Sequence, residues 1–237
     1  MGYFLVTGAA GFIGSHTCEM LVQMGHTVHG VDNLRTGKLE NLDNLRGNSR
    51  FRFHHIDANG STEMKLMLSR YEFNACLHLA ALVSVQESFN NPEENFTLNT
   101  VMVEKVVSLS YGFGIPRVVF SSSAAVYGNP PDKPYPLSPY ATAKMASEII
   151  VKGYADSFGM TGVCLRYFNV YGKRQDPKSP YSGVISIFLD RLKSNRTLLT
   201  VFGDGQQSRD FIHAADVARA NVIALTHPEI QTGSYDV

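Results

Sequence analysis

The chain has 237 residues, 44% hydrophobic and 18% charged, with 21 basic side chains balanced by 21 acidic ones. That composition supplies a sizeable core and argues against disorder, while zero net charge provides no basic surface for general binding of nucleic acid or anionic membranes. No apolar run approaches a bilayer span, and the glycine-broken start "MGYFLVTGAAGFIG" lacks the basic segment of a secretory leader.

In chain order, "YFLVTG" predicts a strand and "FIGSHTCEMLVQMG" a helix closed by Gly25. "TVHGVD" and "FRFHHID" predict strands two and three, with a helix near 61–70 after the latter. "ACLHLAA" is a fourth strand, followed by a long helix over 92–111 with Pro92 suited to its first turn. "RVVFSS" is a fifth strand, 138–158 a helix and "GVCLRYFNV" a sixth strand. This alternation predicts an α/β fold, a doubly wound parallel sheet with helices on both faces and right-handed crossovers. After Gly172 the rhythm changes to a polar loop "GKRQDPKSPY", a helix near 182–194, a strand "TLLTVFG" and a helix near 214–226. The expected division is a nucleotide-binding domain over 1–172 and a smaller substrate-binding part over 173–237. "GSYDV" reads as a strand beginning, so that part is expected to be incomplete at its C-terminal side.

Cys18, Cys76 and Cys164 are far apart, odd in number and without CxxC spacing, which predicts reduced, buried thiols in a cytoplasmic protein. The eight histidines form no HExxH, and no metal site is expected. His54 and His55 would point to opposite faces of a strand, and His78 reads as a core histidine.

"TGAAGFIG" places Gly8, Gly11 and Gly14 between the first strand and the first helix. Glycines there permit a tight turn and close approach to a pyrophosphate, to which the helix N-terminus offers amide donors. The spacing is GxxGxxG rather than GxGxxG, but its position after a strand and before a helix, with Asp32 ending the next strand, predicts a dinucleotide site. Asp32 would accept hydrogen bonds from an adenosine ribose and repel a 2′-phosphate, favouring NAD over NADP. Arg35 reads as a solvated loop cation, although an arginine there could also welcome that phosphate. Asp57, in "HIDA", either bonds an adenine amino group or serves the start of the next helix.

"SPYATAKMASE" puts Tyr140 and Lys144 four apart, on one helix face. A phenol titrates near about 10, so a neighbouring ammonium and a positive nicotinamide would be needed to lower it into a useful range for a base. The pair follows "SSSAAVYG", which sets three serines at the end of the fifth strand and then two alanines without chemistry of their own.

Taken together, TGxxGxxG, a serine after strand five and YxxxK resemble the short-chain dehydrogenase/reductase superfamily. "HLAA" at 78–81, "RYFNVYG" at 166–172 and "GDGQQSRDFIHAADVARA" at 203–220 are similar to its extended, nucleotide-sugar branch, the NAD-dependent epimerase/dehydratase family. The resemblance is strongest to 4-epimerases of UDP-glucose and UDP-N-acetylglucosamine, a likeness that "DNLRTGKLENL" and "GKRQDP" reinforce. It implies a Rossmann-type fold, a homodimer, a UDP-sugar substrate and NAD as cofactor. Gly8, Gly11, Phe12, Ile13 and Gly14 would bind the pyrophosphate side of NAD. Asp32, Asn33, Asp57 and Ala58 would meet the adenosine, and Leu79, Ala80, Ala81 and Asn99 would line the cofactor channel. Ser123, Tyr140 and Lys144 would be catalytic, the last two also touching the cofactor. Asn169 and Arg209 would hold the substrate diphosphate, with Val184 and Phe202 flanking its base and Ser123 meeting the sugar.

Two features depart from that pattern. The connection from Gly128 to Tyr140 is several residues shorter than usual, which could draw Tyr140 out of register with Ser123. The family also continues past the point corresponding to Val237, where its sugar pocket is completed. Relatives that dehydrate or decarboxylate the sugar carry acids just after the strand-five hydroxyl, where this chain has Ala124 and Ala125. Oxidation and re-reduction at C4, a UDP-hexose 4-epimerase activity, is the reading that remains. Its alternatives are UDP-glucuronate 4-epimerisation, dehydration, net oxidation with free NAD exchange, or a non-catalytic NAD sensor.

Overall fold

The computed structural model describes residues 1–128, 135–177, 183–194 and 198–237. Short runs of four to seven residues form strands β1 (Tyr3–Thr7), β2 (Thr27–Asp32), β3 (Phe51–His55), β4 (Ala75–His78), β5 (Arg117–Ser123) and β6 (Thr161–Tyr167). Between them lie helices α1 (Phe12–Gln23) and α2 (Ser61–Leu68), the short α3 (Val85–Asn90) and α4 (Pro92–Phe96), then α5 (Met102–Gly112) and α6 (Pro139–Phe158). Beyond β6 come β7 (Asn169–Tyr171), α7 (Val184–Lys193), β8 (Phe211–His213), α8 (Ala214–Thr226) and β9 (Gly233–Asp236).

Seven of these strands pair in parallel in the order β3-β2-β1-β4-β5-β6-β9. Because side chains alternate across a strand, each strand feeds two cores. Phe4, Val6, Leu77 and Val119 face α1 and α8, while Leu5, Cys76, Val118 and Phe120 face α5 and the inner side of α6. The chain order reverses between β1 and β4, and the crevice above that point, at the strand C-termini, is where such sheets bind ligands.

The structure departs from the expected elements in several places. The anticipated helix over 92–111 contains a π turn at Thr97–Val101, and α3 precedes it without having been anticipated. The anticipated sixth strand splits at Phe168, whose N–H donates to the Val237 carbonyl. Asn169–Tyr171 then leaves the sheet to pair with β8. Residues 198–203 of the anticipated strand "TLLTVFG" are not a strand, and Thr197 lies outside the described residues. Leu198, Val201 and Phe202 are exposed, so no face of that segment is buried to hold it extended. The expected division at 172/173 does not coincide with the sheet: β9 is its seventh strand, and α8 packs on α1.

Candidate active site

At the switch point a cavity of about 690 Å³ opens over the C-terminal ends of the central strands. Its floor is the β1–α1 turn. Gly8 sits at φ +71°, and a Cβ there would lie 2.8 Å from the Ala80 nitrogen. A Cβ on Gly14 would lie 2.1 Å from the Gly8 carbonyl oxygen. The two glycines therefore let the turn, α1 and the 79–81 segment approach each other with backbone alone. Helix α1 is N-capped by Gly11 with no side-chain cap, which leaves first-turn N–H groups for an anion. Phe12 and Ile13 line the same wall.

The 79–81 segment, which contributes Leu79, Ala80 and Ala81 to the lining, is held by Thr7. The Thr7 hydroxyl accepts from the N–H groups of Leu79 and Ala80 at 3.2 and 3.3 Å and hydrogen-bonds His78 Nδ1 at 2.7 Å. His78 is buried, as anticipated for a core histidine. Burial, with Lys144 nearby, pushes its pKa down to about 3, so it is neutral.

At the adenosine end Asp32 accepts from the N–H groups of Ala10 (2.9 Å) and Leu34 (2.8 Å). Leu34 takes the left-handed φ of +60° to reach it. Burial raises the Asp32 pKa, and these two N–H groups oppose the rise. Asn33 donates to Asp57, whose other oxygen accepts from the Asn59 N–H. Both residues line the cavity beside Ala58. Asp57 does not cap α2, whose N-cap is Gly60. Arg35 is an exposed loop cation, as anticipated, and its guanidinium pairs with Glu94 at 2.7 Å and Glu87 at 3.2 Å.

Asn99 does not line the cavity. It is fully buried in the π turn, where its amide donates to the Leu82 carbonyl and to Asn95, and its carbonyl oxygen accepts from the Leu82 N–H. Its own backbone carbonyl accepts a bond from the Ser147 hydroxyl of α6. Asn99 thus braces the end of the 79–82 segment against α6.

At the other end Ser121, Ser122, Ser123, Tyr140 and Lys144 meet at the cavity wall. Helix α6 begins at Ser138, whose hydroxyl accepts from the Ala141 N–H, with Pro139 in the first turn. This start sets Tyr140 and Lys144 on the stripe facing β5. Tyr140 and Ser123 line the same end of the cavity, near enough for Ser123 to act on the phenol's titration. Lys144 is only 3% exposed; its Nζ donates to the Ser121 carbonyl at 2.8 Å and lies 5.7 Å from the Tyr140 ring centroid. Tyr140 and Ser123 still line one cavity wall with the short 128–140 connection. Its described ends are tied, with the Tyr135 N–H donating to the Tyr127 carbonyl at 3.3 Å, and residues 129–134 lie outside the described residues.

Burial raises the Tyr140 phenol above its ordinary range, and nearby Ser123 opposes the rise. Burial lowers Lys144 to about 7, so near neutrality it carries only part of a charge. In the protein by itself desolvation outweighs the phenol-lowering effect expected of that lysine.

Of the anticipated substrate residues, Ser123 lines this cavity, and Asn169, Val184, Phe202 and Arg209 do not. Asn169 donates to the Asp210 carbonyl at 2.8 Å, and Arg209 donates to Ser208. Val184 opens α7, and Phe202 is 81% exposed. Phe168 and Val170, on either side of Asn169, do line it, so β7 forms its outer rim. Sequence reasoning missed Thr7, Glu148 and Arg166. The Glu148 signal was available, since it stands one helical turn beyond Lys144 in "KMASE".

The chain is similar to the UDP-glucose 4-epimerase of Mycolicibacterium smegmatis, 36% identical over 228 residues that cover 93% of this chain and 72% of the relative. It is similar in structure to the UDP-N-acetylglucosamine 4-epimerase of Methanobrevibacter ruminantium M1, solved with UDP-N-acetylmuramic acid. That match has 35% identity and a TM-score of 0.92, covering 100% of this chain and 76% of the other. The Thermus thermophilus UDP-glucose 4-epimerase, solved with NAD, is 34% identical with a TM-score of 0.88 over 99% of this chain and 77% of that one. The family model for these enzymes matches residues 4–237, almost the whole chain, and the glycine cradle and the Ser–Tyr–Lys cluster both fall within that span. The chain belongs to the NAD dependent epimerase/dehydratase family.

Proposed function

We propose that this protein is an NAD-dependent 4-epimerase of a UDP-hexose. The observation that carries the reading is the convergence of Ser123, Tyr140 and Lys144 on one end of a cavity whose other end is a glycine cradle and Asp32. The cradle fits a dinucleotide, because a Cβ at Gly8 or Gly14 would collide with backbone. Gly8, Gly11 and Gly14 would hold its diphosphate, with Phe12 and Ile13 beside it, and Asp32, Asn33 and Asp57 its adenosine, next to Ala58. Bound NAD supplies reversible two-electron chemistry at C4 of the sugar. Tyr140 accepts the proton of the 4-hydroxyl and later returns it, while Ser123 hydrogen-bonds the same oxygen. Lys144 orients the phenol and offers a donor to the nicotinamide ribose.

Ala124 and Ala125 leave the strand-five end without an acid or base for chemistry at C5 or C6. This favours C4 inversion over dehydration. Asn169 and Arg209 are assigned to the substrate diphosphate and Val184 and Phe202 to its base, with Val184, Phe202 and Arg209 in the 173–237 substrate part and Asn169 beside it on β7. The glucose/galactose and N-acetylhexosamine pairs are both within the reading. Exposed Val101, Ile149 and Phe158 on the helices flanking the sheet support a homodimer through that face, testable by light scattering. Buried Cys18, Cys76 and Cys164 suit a reducing cytoplasm.

The test is incubation with UDP-hexoses deuterated at C4. Deuterium retained at C4 of the epimer supports the proposal. A 6-deoxy-4-keto product, or solvent hydrogen entering C5, refutes it in favour of dehydration. Loss of the C4 label to the medium refutes it in favour of a net dehydrogenase.

A further inference from the structure

The proposed chemistry uses Ser123, Tyr140 and Lys144 but not the buried charge behind them. Glu148 is 2% exposed and stands one helical turn beyond Lys144 on the α6 stripe. All of its acceptor capacity is taken. Oε1 accepts from the Ser122 hydroxyl at 2.5 Å and Arg166 Nε at 2.8 Å. Oε2 accepts from Arg166 Nη2 at 2.8 Å and the Ser234 hydroxyl at 2.7 Å, with Lys152 Nζ at 3.7 Å. A buried carboxylate saturated in this way cannot move without leaving a charged partner unpaired.

Arg166 continues the chain of contacts. Its Nη1 donates to the Tyr127 hydroxyl at 2.8 Å, and its guanidinium carbon lies 4.8 Å from the Tyr127 ring centroid. The Tyr127 hydroxyl donates to Asp236 of β9 at 2.7 Å. Tyr127 closes the 3₁₀ turn Ala124–Tyr127, which starts from Ser123 as its N-cap. Ser123 is thus bracketed by Ser122, held by Glu148, and by Tyr127, held by Arg166. Glu148 and Tyr140 belong to the same rigid helix. Two of the three serines thus have partners along α6: Lys144 takes the Ser121 carbonyl and Glu148 the Ser122 hydroxyl, while Tyr140 of the same helix shares the cavity wall with Ser123.

We propose that Glu148, clamped by Arg166, is the positioning residue that sets the separation of the Ser123 and Tyr140 hydroxyls by locking α6 to β5 and the turn after it. The inference deepens the 4-epimerase reading and rests on it for its kinetic test. A small misplacement of paired catalytic groups can cost on the order of 100-fold in rate. Glu148→Gln, measured well below its melting temperature, is expected to lower kcat roughly 10- to 100-fold while KM for the UDP-hexose and Kd for NAD stay within about twofold. Combined with Ser123→Ala, it should add little further loss, because it acts through that hydroxyl. A second readout needs no turnover: fluorotyrosine placed at 140 and titrated by fluorine NMR should titrate higher in Glu148→Gln, as Ser123 moves away and its lowering effect on the phenol weakens.

Normal kcat with an unchanged titration in folded Glu148→Gln would overturn the proposal, as would losses that multiply with Ser123→Ala. If Glu148→Gln does not fold, Ser122→Ala removes only the strand link and carries the same readouts, with a smaller effect in the same direction. A parent protein that epimerises no UDP-hexose would reject the proposed function, while the fluorine titration would still decide the positioning role.

Discussion

Replacing Lys144 with methionine tests the electrostatics of the site without any substrate. Burial takes the Lys144 pKa from 10.5 to about 7. Between those values the unfolded chain binds a proton that the folded chain has partly released. Stability therefore rises with pH through this window, and it is lowest below the folded pKa. With a shift of that size, the ionised lysine costs the fold roughly 4 kcal/mol at pH 7 and a little under 3 at about pH 8.5. Lys144→Met removes this dependence, although it also leaves the Ser121 carbonyl without its 2.8 Å donor. That lost bond is a fixed offset at every pH, so the informative quantity is the change in the gap between the two proteins. Urea denaturation of nucleotide-free protein at pH 7 and 8.5 should show the gap shifting by about 2 kcal/mol, the variant losing its relative advantage at the higher pH. The buried thiols, whose pKa values burial raises, titrate equally in both proteins and cancel. His78 stays neutral throughout, its pKa being about 3. A gap identical at the two pH values would show that Lys144 does not titrate in this range and would remove the argument from desolvation.

Tyr140→Phe should abolish epimerisation, by about 100-fold or more for loss of the acid–base group, while calorimetry finds NAD binding intact; near-normal turnover would disprove the assignment. Ser123→Ala should cost less, since it removes one hydrogen bond to the reacting oxygen and leaves the base. If Asp32 meets the ribose as proposed, NAD should bind at least about tenfold tighter than NADP. Arg35→Ala should leave that preference unchanged, since the guanidinium is held by Glu87 and Glu94, and equal binding of the two nucleotides by the unaltered protein would refute the role given to Asp32. Gly14→Ala places a Cβ 2.1 Å from the Gly8 carbonyl. Backbone must shift to admit it, so NAD affinity should fall sharply and stability by about 1–3 kcal/mol; unchanged affinity in a thermal-shift titration would contradict the cradle.

The alternation of apolar runs with helical patterns was enough to set out β1 to β6 and the helices between them, because those patterns are local and repeat every two or 3.6 residues. The glycine loop and Asp32 were readable for the same reason: a turn that must pass close to an anion restricts residue type at fixed spacing. Tyr140 and Lys144 were legible as one stripe of α6. The π turn at Asn99 was not, since no periodicity marks a single extra residue whose value lies in freeing a carbonyl for Ser147. Phe202 and Val184 were named as base-flanking residues, yet neither lines the main cavity; the motif specified their types and not their direction.

Sequence alone thus determined the layers, the glycine turn and the candidate acid–base pair. Tertiary structure alone decided that β9 completes the sheet, that Phe168 turns the chain out of β6, and that Ser122 meets Glu148 across 26 residues and Asn221 meets Thr17 across 204. The physical reason is reach. Backbone propensity and amphipathic period act over a few residues, whereas a buried carboxylate or amide finds its partners only after the topology has brought distant strands and helices together and excluded the water that would otherwise satisfy them.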